Sequence, residues 1–149
     1  MKKKEFLSKY KKVIKKIDKK IDNVNRGGCG IYALELGKQL KRHGIKFEYV
    51  MLFTHLGKED KPYVKDLMRN NMVRDFNFDT NWTHIVIKVG KKYIDGEEIR
   101  ESLTDVGLPM NEEFLNNLVD HKGYWNDTFD RKQRTKIEKI LEKHLADWK

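Results

Sequence analysis

The chain is poor in cysteine: one residue, Cys29, stands among 149. No internal disulfide can form, and an all-cysteine zinc site within one chain is excluded. No apolar run approaches the roughly 18 residues of a membrane span. The lysine-rich start lacks the continuous apolar segment of a secretory signal. These absences predict an intracellular, cytoplasmic protein in a reducing compartment. There is no repeat, no low-complexity linker and no sign of an internal boundary. At this length a single domain over residues 1–149 with a sizeable core is expected.

Charge of one sign is confined to one place. The net charge is +9. Residues 1–20 hold ten lysines against Glu5 and Asp18, while the other 129 residues carry 22 basic and 21 acidic side chains. The basicity therefore belongs to one terminal segment. Its ordinary reading is a solvated helix face, and its functional reading is a contact for an acidic partner. The lysines are not interleaved with arginine or aromatic residues. They give no base-reading signal, so nucleic acid is the less favoured partner.

Apolar spacing supplies the elements. Phe6, Tyr10, Val13, Ile14, Ile17 and Ile21 recur at helical intervals and predict a basic amphipathic helix over residues 3–21. Asp22 to Gly28 reads as a loop. A second helix runs from Cys29 to about Arg42, apolar around much of its surface and stopped at His43-Gly44. Ile45 to Phe53 reads as a strand. Residues 61–70 form a short helix with Pro62 in its first turn. Arg69 to Asn81 reads as a long loop or edge strand. His84 to Val89 is the clearest strand, followed by a Gly90-Lys91 turn into Lys92–Asp95. Helices are expected at 111–120 and 131–146. The order predicts α+β, with a basic helix (1–21), a catalytic core (22–96) and a helical C-terminal part (97–149).

Three residues point to chemistry. Cys29 begins a helix, where unpaired amides and the helix dipole favour a thiolate. Gly27, Gly28 and Gly30 allow a tight turn and leave room for a substrate. The Cys29 amide is a candidate oxyanion donor, with Asn23 or Asn25 as a second. Strand parity adds two partners. A two-residue turn sets Ile87 opposite Ile94 and Val86 opposite Asp95, so His84 and Asp95 share a face as diagonal neighbours. A three-residue loop would separate them. Asp95 is then the group that orients the His84 imidazole, as in a Cys-His-Asp triad. Trp82, two residues before His84, is a candidate wall of the site.

The segments Gly28-Cys29-Gly30-Ile31-Tyr32-Ala33-Leu34, His84-Ile85-Val86-Ile87-Lys88-Val89-Gly90 and Tyr93-Ile94-Asp95-Gly96 together resemble the papain-like cysteine hydrolase superfamily. The resemblance is to its NlpC-type and transglutaminase-like branches and spans roughly residues 22–96. It implies a helix bearing the nucleophilic cysteine, packed on a small antiparallel sheet. The histidine begins one strand and the polar third residue lies on the next. It further implies thiol-dependent acyl transfer on a peptide or protein substrate, as a peptidase, amidase or transglutaminase-like enzyme, without a cofactor or metal.

Each residue also has a plainer reading. Cys29 can be a small packed residue, His84 a satisfied strand-end histidine and Asp95 a turn residue before Gly96. Together they can also ligate zinc, although no short two-ligand spacing supports this. Glu97-Glu98 reads as a solvated loop. His43, His55, His121 and His144 receive no role. The alternative to an enzyme is a papain-like binding module that uses the lysine-rich helix to hold an acidic protein or nucleic acid.

Overall fold

Glycine 44 shows how the chain is punctuated. The computed structural model describes residues 3–21, 28–80, 82–121 and 131–146. In it, helix α2 (Cys29–Arg42) ends with Gly44 at φ 68°. The Gly44 amide donates to the Lys41 carbonyl and the Ile45 amide to the Leu40 carbonyl. This is a Schellman stop, in which a left-handed glycine lets the last carbonyls find donors. The chain then enters β1 (Glu48–Phe53), so the strand starts three residues later than the apolar pattern predicts.

Ahead of α2 lies α1 (Lys3–Lys20), with Phe6, Tyr10, Val13, Ile14 and Ile17 all buried. After β1 come α3 (Lys61–Arg69), α4 (Val73–Asp79), β2 (Trp82–Val89), β3 (Lys92–Ile94), β4 (Ile99–Arg100) and β5 (Val106–Met110). The described chain ends with α5 (Glu112–Asp120), α6 (Arg131–Leu141) and a π-helical turn at Glu142–Ala146. The five strands form one antiparallel sheet in the order β4-β3-β2-β1-β5. The architecture is α+β, as predicted. Among the described residues no helix is long and apolar enough to cross a membrane.

Three expectations are corrected. Arg69 to Asn81 contains a helix, α4, rather than a long loop or edge strand. The alternation of Phe76 and Phe78 suggested a strand period. The spacing that governs is Val73 to Phe76, one helical turn, with both side chains buried. Phe76 packs edge-on to Phe53 and Phe114, with ring centroids 6.4 and 5.0 Å apart. The second correction concerns residues 97–149. They are not wholly helical, because β4 and β5 lie there. Gly107 and Pro109 disguise β5, since neither favours a strand. Its position at the sheet edge tolerates a proline that has no amide to donate. The helix expected to continue to residue 146 also changes to π-helical winding after Leu141.

Helix α2 is buried on most of its surface because it packs on β2 on one side and on α5 and α6 on others. Even its Glu35 is buried, held by Arg134 of α6 at 3.0 Å and Lys38 at 3.0 Å. This central position fixes the start of α2, and with it Cys29, relative to the sheet.

Candidate active site

Cys29 is the first residue of α2 and is buried, with 6% exposure. Gly28 caps the helix at φ −105° without a side-chain hydrogen bond, and its carbonyl accepts from the Tyr32 amide at 2.9 Å. No serine or aspartate occupies the cap, so no side-chain oxygen competes for the amides at the helix start. Gly28 is itself buried beside the thiol's residue. Asn23 and Asn25, the candidate oxyanion donors, lie outside the described residues, as does Gly27.

The β2–β3 hairpin has the register that parity predicts. Ile87 faces Ile94, Lys88 faces Tyr93 and Val89 faces Lys92, which leaves Gly90-Lys91 as a two-residue turn. Gly90 takes φ 63°, the left-handed backbone such a turn uses. At the other end of β2 the ladder is irregular. Leu52 faces His84 but Phe53 faces Trp82, so Thr83 is an extra residue and the register shifts there. Such a bulge bends a strand and re-aims its side chains. Simple alternation would send His84 with Val86, away from the side on which α2 packs. The bulge sits at the step where the imidazole has to turn toward Cys29.

His84 Nε2 lies 2.9 Å from Asp95 Oδ2. The Cys29 thiol lies close enough to the ring to act on it and favours its charged form. With Nε2 committed to Asp95, Nδ1 is the nitrogen left to serve the thiol. Burial of the ring works against its charged form. The Asp95 hydrogen bond, then the nearby Cys29 thiol and the charges of both, outweigh burial and push the His84 pKa up to about 9.

Asp95 is 3% exposed and saturated with partners. Oδ1 accepts from the Glu97 and Glu98 amides at 2.8 and 2.9 Å, while Oδ2 accepts from His84 and from Arg100 at 3.2 Å. Burial pushes this carboxyl up. The His84 hydrogen bond, the two amides and the imidazolium charge more than offset that and hold it below the usual carboxylate range. Asp95 thus holds the turn through Oδ1 and bonds the imidazole through Oδ2 at once. Its backbone is held as well. Tyr10 Oη donates to the Asp95 carbonyl at 2.5 Å and stands 2.5 Å from Tyr32 Oη. Since the Tyr10 proton goes to the carbonyl, Tyr32 donates to Tyr10. Burial and neighbouring charge keep both phenols well above their ordinary range, hence neutral.

The structure therefore brings Cys29, His84 and Asp95 together. Trp82 is half-buried at the start of β2 and packs against the core cluster. Arg100, Tyr10 and Tyr32 were not foreseen. Tyr32 carried a signal, because it sits one turn after Cys29 on the same helix face. Arg100 carried none, because its place depends on pairing with Tyr93 across the β3–β4 turn that Asp95 starts. Among the described residues, no group of three His, Cys, Asp or Glu side chains is placed to hold a metal ion. A hollow of about 1350 Å³ lies at the opposite end of the sheet, lined by residues including Lys41, Phe47, Tyr49, Lys88 and Met110. It contains no cysteine or histidine. Neither a family model, nor a curated protein, nor a solved structure matches the chain.

Proposed function

We propose that the chain is a cysteine-dependent acyl-transfer enzyme with a papain-like arrangement, in which Cys29 is the nucleophile, His84 the general base and acid, and Asp95 the orienting carboxylate. The observation that carries this reading is the imidazole of His84, held at Nε2 by Asp95 at 2.9 Å and close enough to Cys29, at the start of α2, for the thiol to act on it. A thiol, a base and an orienter in series form the constellation nucleophilic catalysis requires.

The chemistry follows from these positions. The thiol proton passes to His84 before Cys29 Sγ attacks the carbonyl carbon of an amide. The carbonyl oxygen becomes an oxyanion, and the Cys29 amide at the helix start is its donor. As the tetrahedral intermediate collapses, the carbon–nitrogen bond breaks and His84 passes its proton to the departing amine. The acyl group remains on Cys29 as a thioester. Water, or a second amine, then attacks with His84 again as base, and Cys29 is released. Asp95 keeps its charge throughout and stabilises the imidazolium. The substrate class is a peptide or protein amide. A reducing, cytoplasmic setting suits the reading, because it keeps a lone thiol from oxidation.

The test is intact-mass spectrometry of the full chain incubated with thiol-reactive and acyl-donating amides. A covalent acyl adduct at Cys29 is expected, absent in Cys29→Ala and formed roughly 10²–10⁴-fold more slowly in His84→Ala. Equal, slow labelling of wild type and His84→Ala, with no acyl adduct in either, would overturn the proposal.

A further inference from the structure

The acyl-transfer reading leaves the lysines of α1 unexplained. Lys3, Lys4, Lys11, Lys12, Lys15, Lys16, Lys19 and Lys20 are exposed and Lys9 is half-buried. Two rows emerge from the spacing. Lys4, Lys11, Lys15 and Lys19 recur at intervals of seven and four residues and share one line along the helix, and Lys9, Lys16 and Lys20 do the same on its flank. Lys12 and Ser8 lie between them. A hollow of about 530 Å³ opens there, lined by Lys4, Glu5, Ser8, Lys9 and Lys12.

The flank row faces a second element. Helix α1 packs against the π-helical turn that carries Lys143 and His144. Burial, then the charges of Lys16, Lys143, Lys20 and Lys9, hold the His144 imidazole below its usual range. The positive field is therefore shared by two elements and concentrated between them. It is also rigidly presented. Phe6, Tyr10, Val13, Ile14 and Ile17 are locked into the core, and Leu7 packs against it.

We infer that this lysine face of α1, extended by Lys143, binds the phosphate backbone of duplex nucleic acid without reading its sequence. The choice of partner rests on what the face lacks. Specific protein interfaces have an apolar centre, and helices that lie on membranes insert an apolar side. Every apolar side chain of α1 is already committed to the core, so neither contact is offered. A phosphate backbone needs only a line of cations, and its affinity comes from releasing condensed counterions. Helix α1 provides such a line over 18 residues, about 27 Å. Lysines are point charges on flexible stems, so the contact positions the duplex without choosing a base.

Fluorescence anisotropy of the full chain with a labelled 20-base-pair duplex, across a potassium chloride series, tests this. About six phosphate contacts predict a slope of log affinity on log salt near −5. Replacing Lys11, Lys12, Lys15 and Lys19 together by Gln is expected to reduce that slope by about 4. The same four changed to Arg retain binding, and Cys29→Ala leaves it unchanged. His144, followed by NMR, titrates at higher pH once duplex neutralises the lysines around it. No duplex binding at 50 mM salt, a slope unaltered in the Gln variant, or binding of an acidic peptide or phosphatidylserine vesicles in place of duplex would each overturn the inference. Because binding is read without turnover, its failure leaves the acyl-transfer proposal standing, and the reverse also holds.

Discussion

His84 Nε2 and Asp95 Oδ2 lie 2.9 Å apart across the mouth of the β2–β3 hairpin, and this contact couples the site to pH. The folded state raises the His84 pKa from 6.5 to about 9. A group raised on folding contributes stability that is complete below its unfolded value and lost as pH climbs through its folded value. The contribution of His84 is therefore present below about pH 6.5 and gone above about pH 9. Asp95 runs the other way. Its lowered pKa gives stability that is present above the unfolded value near 3.8 and lost as the pH falls through the folded one. Both effects should appear in thermal melts. Asp95→Asn removes both, so the fall in melting temperature on going from pH 6.5 to 9.5 flattens. NMR should find the His84 titration in this variant displaced downward.

Arg100 shares Asp95 Oδ2 with His84 at 3.2 Å. Two cations on one oxygen compete, and Arg100 is the one that cannot give up its charge. Arg100→Met leaves Asp95 to His84 and the two amides. The His84 titration should then rise, since a nearby like charge is gone. Any alkaline limit on Cys29 labelling should move with it. A downward shift would mean that Arg100 orients Asp95 rather than competes for it.

The reach of sequence reasoning can be traced in these residues. His84 and Asp95 were legible because a two-residue turn fixes register, and register fixes faces. Cys29 was legible because glycine frames a helix start. Thr83 was not, since an extra residue in a ladder leaves no period to detect, yet it accompanies the turn of His84 toward α2. Arg100 was hidden because its meaning depends on β4, a two-residue strand with no pattern of its own. Tyr10 was read correctly as a core residue of α1. Its hydroxyl belongs to Asp95, 85 residues away, and no local periodicity reports that.

Tyr10 stands in the middle of a donor chain, with Tyr32 donating to it and the Asp95 carbonyl accepting from it. The position makes the two phenols unequal. Tyr32→Phe removes one link and leaves Tyr10 bonded to Asp95. Tyr10→Phe leaves both the Tyr32 hydroxyl and the Asp95 carbonyl without this partner in a buried site. The expected losses are about 1 kcal/mol for Tyr32→Phe and about 2–3 kcal/mol for Tyr10→Phe. Urea unfolding of the two variants decides the order. Tyr10→Phe should also slow Cys29 acylation, because the Asp95 turn loses an anchor. Equal losses would show that the chain runs in the other direction or is open.

Gly37 offers a test of α2 itself. On an exposed helix, Gly→Ala stabilises by about 1 kcal/mol. Here an added Cβ would lie 2.1 Å from Tyr49 Oη and 2.8 Å from its Cζ. Tyr49 is 4% exposed and its hydroxyl donates to Glu112 at 3.2 Å, so the ring has little freedom to withdraw. Displacing it costs about 1–3 kcal/mol in overpacking and about 1 kcal/mol in the lost hydrogen bond. The sum outweighs the propensity gain, and Gly37→Ala should destabilise by about 1–3 kcal/mol. Tyr49→Leu alone should also destabilise, through lost packing and the lost Glu112 bond. In that background the same Gly37→Ala change should become nearly neutral or stabilising, because the obstacle is gone. A double-mutant cycle measured by chemical unfolding reads the coupling directly. Independent, additive effects would mean that α2 and β1 can slide apart at this contact, and that the helix carrying Cys29 is held less firmly than its burial suggests.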